Sequence, residues 1–596
     1  MKSAKYLALQ QQLSKGWNTW SYGSMLTQVL LPEGLAVKVN FRQSFIGIPN
    51  DPSFFIGDAV VDKSELIKPI AHTVDGSYTE LIVNKWHGNT IRVQSATNNN
   101  ELFVLITPVI NSPDIHYNIE LEAGILWNGS GTVTKNKNFL LAKIERKSIS
   151  IQSTNKTLDA YHTYLSPYLI CKGDTTTAFY TGNKKSLKEI EALIARAKRK
   201  YEGDANAYGD LSEAFKGIET VLGWNTIYDA EQKRIITPVS RGWNKAWQGF
   251  VLFEWDTYFA SYLFGLFNKD YAYSNAIAVT KGINKLGHIG HWQMPGHHAA
   301  EGMSQPPVGS MICWKLYDKY HDKWFLSEVY KELLTWNKWW FDNRMNHGKL
   351  SWGGWKNAEP QIAAWESGMD NSPMYEDIRM IHNGNSSLQN LWDVGLNSLY
   401  VNDCKNLKKM AMVLGKTSDL DELSRRELLI TKSVEELWNE NEGIFLNKYV
   451  DSANSYRLSP TLFYPMLAGI ATKKQAEKMV KEHYYNNKEF YSDLIMPSIS
   501  FNDKSFDNQY WRGSIWPPLN FMVYLGLRDY DPKAATILAE KSYMLFTKAW
   551  AEHNAVFENI NSLKGVQDIK DQVNCDPFYH WGALMGIMQF LDKGKY

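Results

Sequence analysis

The sequence predicts two domains in series. An N-terminal antiparallel β-sandwich spans residues 1–183, and an all-α (α/α)6 toroid spans residues 223–596, with a helical linker at 184–222 between them. Three observations carry this. Residues 16–182 hold short β-rich runs separated by turn residues, the pattern of many short strands. Near residue 184 the apolar spacing changes from that of strands to that of helices. The last 340 or so residues then read as helix after helix. That length has room for about a dozen helices of ordinary size, and it lacks the fixed repeat of an α-solenoid.

In chain order, Glu80–Gln94 reads as a hairpin, two β-rich runs around His87-Gly88-Asn89. Runs 101–110 and 139–151 supply further strands. Ser186–Lys200 is amphipathic with a basic face, which marks it as a solvated linker helix. The predicted helices of the second domain are 252–267, 271–286, 308–320, 325–341, 386–414, 418–439, 473–483, 515–527, 532–550 and 578–592. The aromatic opening Gly16-Trp17-Asn18-Thr19-Trp20 is assigned no role.

Composition narrows the function. A net charge of +1 argues against a nucleic-acid or membrane-surface partner. The 23 Trp, 32 Tyr and 25 Phe exceed ordinary usage. Flat aromatic faces with polar tips suit sugar rings, although many must simply fill a core. The four cysteines form no CxxC, so neither a zinc site nor a disulfide framework is expected. The opening twenty residues carry no signal-peptide h-region. The expected location is cytoplasmic for the chain as it stands, or periplasmic if a leader precedes it.

Chemistry concentrates in loops between the helices. Trp365-Glu366-Ser367-Gly368-Met369-Asp370 is followed by Asn371-Ser372-Pro373, which biases the chain out of helical geometry. Asp370 should therefore sit at a helix end. Three further loops are polar and aromatic: Phe253–Tyr258; His291–Gly296 with Ser304–Pro307; and Gln509–Pro518, followed downstream by Phe557–Asn561. His288, His291, His297 and His298 invite a metal reading, but the acidic partners of a metal site are not nearby. No metal and no cofactor is expected, and His291 or His297 is instead expected to line a sugar site.

These loops carry a resemblance. Trp255-Asp256-Thr257, Ser304-Gln305-Pro306-Pro307, Trp365–Asp370, Tyr510-Trp511-Arg512-Gly513 with Trp516, and Glu558-Asn559 resemble, in order, the motifs of glycoside hydrolase family 63, kin to the family 37 trehalases. The likeness covers roughly residues 223–596. It implies a β-sandwich with an (α/α)6 barrel and inverting hydrolysis of α-glycosidic bonds, with Asp370 as general acid and Glu558 as general base. It further implies a sugar pocket formed by Trp255, Asp256, His291, Trp292, Gln305, Trp365, Glu366, Gly368, Trp511, Arg512 and Asn559.

Such an acid must keep its proton near neutral pH, so a raised pKa is expected for Asp370. Glu366 has two readings, a carboxylate neighbour that raises that pKa or a structural hydrogen-bond acceptor. Asp256 at a helix start and Arg512 in an inter-helix salt bridge are the plain readings of those two residues.

Two departures from the family pattern stand out. Asn343–Lys349 replaces the Asp-x-Asn-x-Asn-Gly calcium loop of some relatives, and no calcium is expected there. Met303 stands where trehalases carry an Arg, which argues against trehalose as substrate.

The resulting expectation is an exo-acting, inverting α-glucosidase on a small oligosaccharide or glucoside. Its partner is a small carbohydrate, not nucleic acid or membrane, and the oligomeric state is undetermined. The alternatives are an (α/α)6 disaccharide phosphorylase, a sugar epimerase or isomerase, and an inactive sugar-binding protein.

Overall fold

The computed structural model describes residues 3–43, 67–98, 100–145, 147–159, 166–451, 453–567 and 571–596. Two compact units emerge. One comprises residues 6–250 and 550–555; the other comprises 1–5, 251–549 and 556–596.

The first unit is built on two antiparallel sheets. The five-stranded sheet runs, neighbour to neighbour, Gly16–Asn18, Thr27–Leu31, Leu35–Gln43, Tyr117–Ile125 and Tyr168–Lys172. The eight-stranded sheet runs Ile67–His72, Tyr78–Trp86, Asn89–Asn98, Glu101–Ile110, Thr177–Thr181, Lys147–Ser153, Phe139–Ile144 and Thr132–Asn136. The expected hairpin is present, with Trp86 opposite Asn89. Its turn is the pair His87-Gly88, both at positive φ (45° and 81°), the backbone a two-residue hairpin needs. The sheets face each other as a sandwich. Gln28 donates to the Ser95 hydroxyl at 3.0 Å, and Phe41 on one sheet lies 6.0 Å from Trp86 on the other.

The stretch 184–250 differs from expectation, because it belongs to this first unit and not to a linker and the helical domain. Helix Leu187–Asn206 starts at a Ser186/Glu189 capping box. It buries Ile190, Ile194 and Tyr201 against Tyr78, Phe103, Leu105 and Tyr180 of the large sheet. Its basic face is solvated as the sequence suggests, but its apolar face covers the sheet, which excludes more apolar surface from water than a free linker would. The opening stretch is anchored within the same unit: Trp17 Nε1 donates to the Asn100 carbonyl at 2.9 Å and the Thr19 carbonyl accepts from Arg241 at 2.8 Å.

The second unit is a ring. Its inner helices are Glu254–Phe264, Gly309–Tyr320, Val394–Leu414, the short Tyr464–Leu467 with its 3-10 turn Pro460–Phe463, Pro517–Tyr530, and Leu584–Asp592. Each touches the next, and the last touches the first. Outside them lie Lys269–Thr280, Lys323–Arg344, Leu420–Glu435 and Lys473–Met479, packed as hairpin partners or neighbours. Pro532–His553 lies beside the last inner helix, with Thr536 donating to Asp592. The expected toroid is thus present.

The helices differ from the sequence reading in several places: the expected 271–286 ends at Thr280, and the last helix starts at Leu584 and not at 578. Residues 386–392 form strands Ser386–Gln389 and Leu391–Trp392, and the helix starts at Val394. Asp393 explains this, since its carboxylate caps the Leu396 N–H at 2.8 Å. Helix Pro360–Glu366 was not anticipated, because seven residues are too few for a periodic signal. Among the described residues no helix is long and apolar enough to cross a membrane.

Candidate active site

Asp370 owes its position to a helix that ends just before it. Helix Pro360–Glu366 opens with Pro at its first turn, where a missing N–H costs nothing. It stops at Gly368, which sits at φ +74°. A Cβ there would stand 2.6 Å from Cζ2 of Trp255, so only glycine lets the indole approach. Beyond the turn, Ser372 caps the short Pro373–Tyr375 segment, and the chain cannot resume the helix. Burial pushes the Asp370 carboxyl up to about 7, the direction expected of an acid.

Glu558 lies on an extended segment locked to a second strand of chain. It donates its N–H to the Asp576 carbonyl at 3.0 Å, and its Oε2 accepts the Asp576 N–H at 3.0 Å. Its carbonyl takes the Trp581 indole N–H at 2.9 Å. Burial first, then the charges of Asp576, Asp256 and Asp370, push its carboxyl well above the usual range.

Asp256 stands in the first turn of Glu254–Phe264, where the helix dipole favours a carboxylate. It also accepts the Tyr579 hydroxyl at 2.6 Å. Burial raises it to about 7, and the negative charge of Asp370 adds to the shift.

The three carboxyls therefore sense one another across a common buried space. Aromatic rings pack beside these residues. Trp255 and Trp511 lie with ring centroids 6.4 Å apart at 28°. Trp511 stacks on Trp516 at 3.5 Å, and Trp581 meets Trp255 edge-on at 5.7 Å. Trp516, like Trp255 and Trp511, is fully buried. Asn371 accepts the Trp511 backbone N–H at 2.9 Å, tying the Asp370 loop to the Trp511 loop.

Other expected pocket residues have structural partners. Glu366 is fully buried and makes two 2.7 Å contacts with Arg344. It also accepts the N–H groups of Gly353 (2.8 Å) and Ser304 (3.0 Å). Its oxygens are thus occupied, and Glu366 is the structural acceptor of the two readings, not a sugar ligand. Arg512 is held by Asp507 at 2.7 Å and by Glu376, a salt bridge between loops and not, as its plain reading had it, between helices.

Gln305 accepts the Trp255 N–H at 3.3 Å and meets the His291 ring at 3.3 Å. Burial lowers His291 to about 3, so it is neutral, and the backbone carbonyls of Ser304 and Trp365 face it. Trp292 is half-buried and pairs with Phe253 across two short strands. Trp365 is 40% exposed at its helix end. Asn559 is buried and donates to the Asn574 carbonyl at 3.2 Å.

Of the other histidines, His288 stacks on Trp339 at 4.3 Å, His298 is exposed, and the His297 side chain lies outside the described residues. At the departed calcium loop, Lys349 pairs with Glu436 at 2.6 Å.

Sequence reasoning passed over Tyr510, Tyr579, Asp576 and Trp581. Tyr510 feels the charges of Glu558, Asp370 and Asp256 together. It sits at φ +57°, a costly backbone for a bulky residue, held by the Trp516 indole on its carbonyl at 3.0 Å. Its place inside the Tyr-Trp-Arg-Gly motif was the available signal. Tyr579 and Trp581 had only their aromatic character.

A curated mannosylglycerate hydrolase of Thermus thermophilus is 22% identical over 287 residues, 39% of this chain and 66% of that protein. Mannosylglycerate hydrolase MGH1 of Selaginella moellendorffii is 21% identical over 325 residues, 44% of this chain and 62% of that protein. The chain thus spans just under two thirds of these relatives. A crystal structure of a bacterial glucoamylase complexed with acarbose covers 97% of this chain and 93% of its own at 12% identity, with a TM-score of 0.54, which is a likeness of fold. The sequence model of the mannosylglycerate hydrolase MGH1-like glycoside hydrolase domain matches residues 250–581, more than half of the 596. The chain therefore belongs to the family of MGH1-like glycoside hydrolases.

Proposed function

We propose that the protein is an exo-acting, inverting α-glycosidase that releases one terminal sugar, most readily glucose, from a small oligosaccharide or glycoside. The observation that carries this reading is the grouping of Asp370, Asp256 and Glu558 in one buried space beside packed aromatic rings, with burial holding the Asp370 proton to about pH 7.

Asp370 gives that proton to the departing glycosidic oxygen, and Glu558 takes one from a water on the other face of the sugar. The Asp576 N–H on Glu558 favours its ionised form. The two carboxyls titrate as a pair, and hydrolysis requires the singly protonated state whose proton sits on Asp370 and not on Glu558. Asp256, oriented by Tyr579, holds sugar hydroxyls, and Trp255 and Trp511 offer apolar ring faces. The relatives named for mannosylglycerate put glycerate glycosides among the substrates to try.

The test is a proton NMR time course with α-linked glucose and mannose disaccharides and with glucosyl- and mannosylglycerate, with and without phosphate. β-Anomer appearing first without phosphate supports the reading. α-Anomer first breaks the acid–base assignment, and turnover only with phosphate makes the protein a phosphorylase.

A further inference from the structure

The helical unit contains a second cavity, of about 520 Å³, whose lining includes neither of the proposed catalytic carboxylates. Asp377, Tyr449, Asn454, Tyr456, Asn502 and Asp503 stand among its walls, over a floor of Ile444 and Leu446. The volume lies within the range of small-molecule sites.

Its electrostatics narrow the ligand. Arg457 sits at the centre of three carboxylates, Asp503 at 2.5 Å, Glu376 at 2.8 Å and Asp377 at 3.3 Å. Counting Glu442 and Glu489 against Lys504 and His483, which also line it, the acids still outnumber the cations, so anions such as phosphates are repelled. The guanidinium among the acids repels a divalent cation, and no set of three or more metal-ligating side chains occurs among the described residues. What remains is a neutral, polyhydroxylated ligand. Asn454 and Asn502 offer amide donors and acceptors to hydroxyls. Tyr456, 61% exposed, presents its ring at the wall, the flat amphipathic surface a pyranose stacks on.

We propose that this cavity is a second, non-catalytic saccharide site. Glu376 bridges Arg457 at the cavity and Arg512 beside Trp511. The choice of a sugar over other neutral polar ligands rests on the proposed function; the exclusion of ions does not.

The experiment is saturation-transfer difference NMR on the full chain, titrating maltose, with glucose 6-phosphate and glucosamine as anionic and cationic probes. The expected result is maltose binding that persists in Trp255→Ala and weakens at least tenfold in Tyr456→Ala, an exposed position where the fold tolerates truncation. Maltose binding indifferent to Tyr456→Ala, tighter binding of either charged probe, or no maltose binding at all overturns the proposal. If Tyr456-dependent binding persists while no α-glycoside is turned over, the cavity stands and the catalytic reading falls. Turnover without Tyr456-dependent binding removes the cavity alone.

Discussion

Gly368 and Trp255 are in contact closer than any side chain at residue 368 would permit, with the missing Cβ only 2.6 Å from the indole. The same glycine is at φ +74°. Gly368→Ala therefore meets both backbone strain and a clash. It should lose about 1–3 kcal/mol of stability and about a hundredfold in kcat/KM, because Asp370 two residues on is misplaced. Denaturant titration and steady-state kinetics check the two effects separately.

Asp370→Asn and Glu558→Gln should fold and lose at least three orders of magnitude in turnover. Near-wild-type rates in either would remove that residue from its role. Asp370→Asn makes a second, independent prediction through pH. The folded pKa, about 7, lies above the ordinary 3.8. The stabilisation from the bound proton is therefore complete below about pH 4 and lost as pH rises through 7. The Asn variant should match wild type near pH 4 and be the more stable by on the order of 2 kcal/mol at pH 8. Equal stability at both pH values would mean that Asp370 is not buried as described.

Glu366→Gln distinguishes a structural role from a sugar contact. It leaves the fully buried Arg344 guanidinium without its counter-charge, at a cost of about 3–5 kcal/mol. The melting temperature should fall markedly. An unchanged melting temperature with a raised KM would instead restore Glu366 to the pocket wall.

Glu376 ties the Asp370 loop to the Trp511 loop through Arg512, and Ser505 adds a hydrogen bond at 2.7 Å. Glu376→Ala should speed amide exchange across residues 503–513 and lower kcat/KM about tenfold, chiefly through KM. Unaltered exchange there would show that the Asn371 contact alone holds the loops.

Calcium and chelators should leave the melting temperature unchanged, since Lys349 occupies its loop as a cation paired to Glu436. A calcium-dependent shift would contradict this.

These outcomes bear on how much a sequence discloses. The helical ring was legible because helices such as Lys323–Arg344 carry a long apolar stripe of Leu333, Trp336 and Trp340. Asp370 was legible because Asn-Ser-Pro marks a stop in the chain itself. The choice between the two readings of Glu366 and of Arg512 was not legible, for a different reason. Their motif places them beside the site, but their roles depend on Arg344 and Glu376, far away in the chain and invisible to local pattern. The helix at 187–206 shows the same limit, since its amphipathic stripe announced a buried face without saying that a sheet would cover it.

The closure of the ring has a consequence for biosynthesis. Asp256 is oriented by Tyr579, and the first inner helix is completed by contact with Leu584–Asp592. A nascent chain on the ribosome thus carries Asp256 for more than three hundred residues of synthesis before Tyr579 exists. Closure of the ring, and with it the Tyr579–Asp256 contact, waits on residues 579–592. A chain stopped before them leaves the ring open, with an apolar seam for chaperones to recognise.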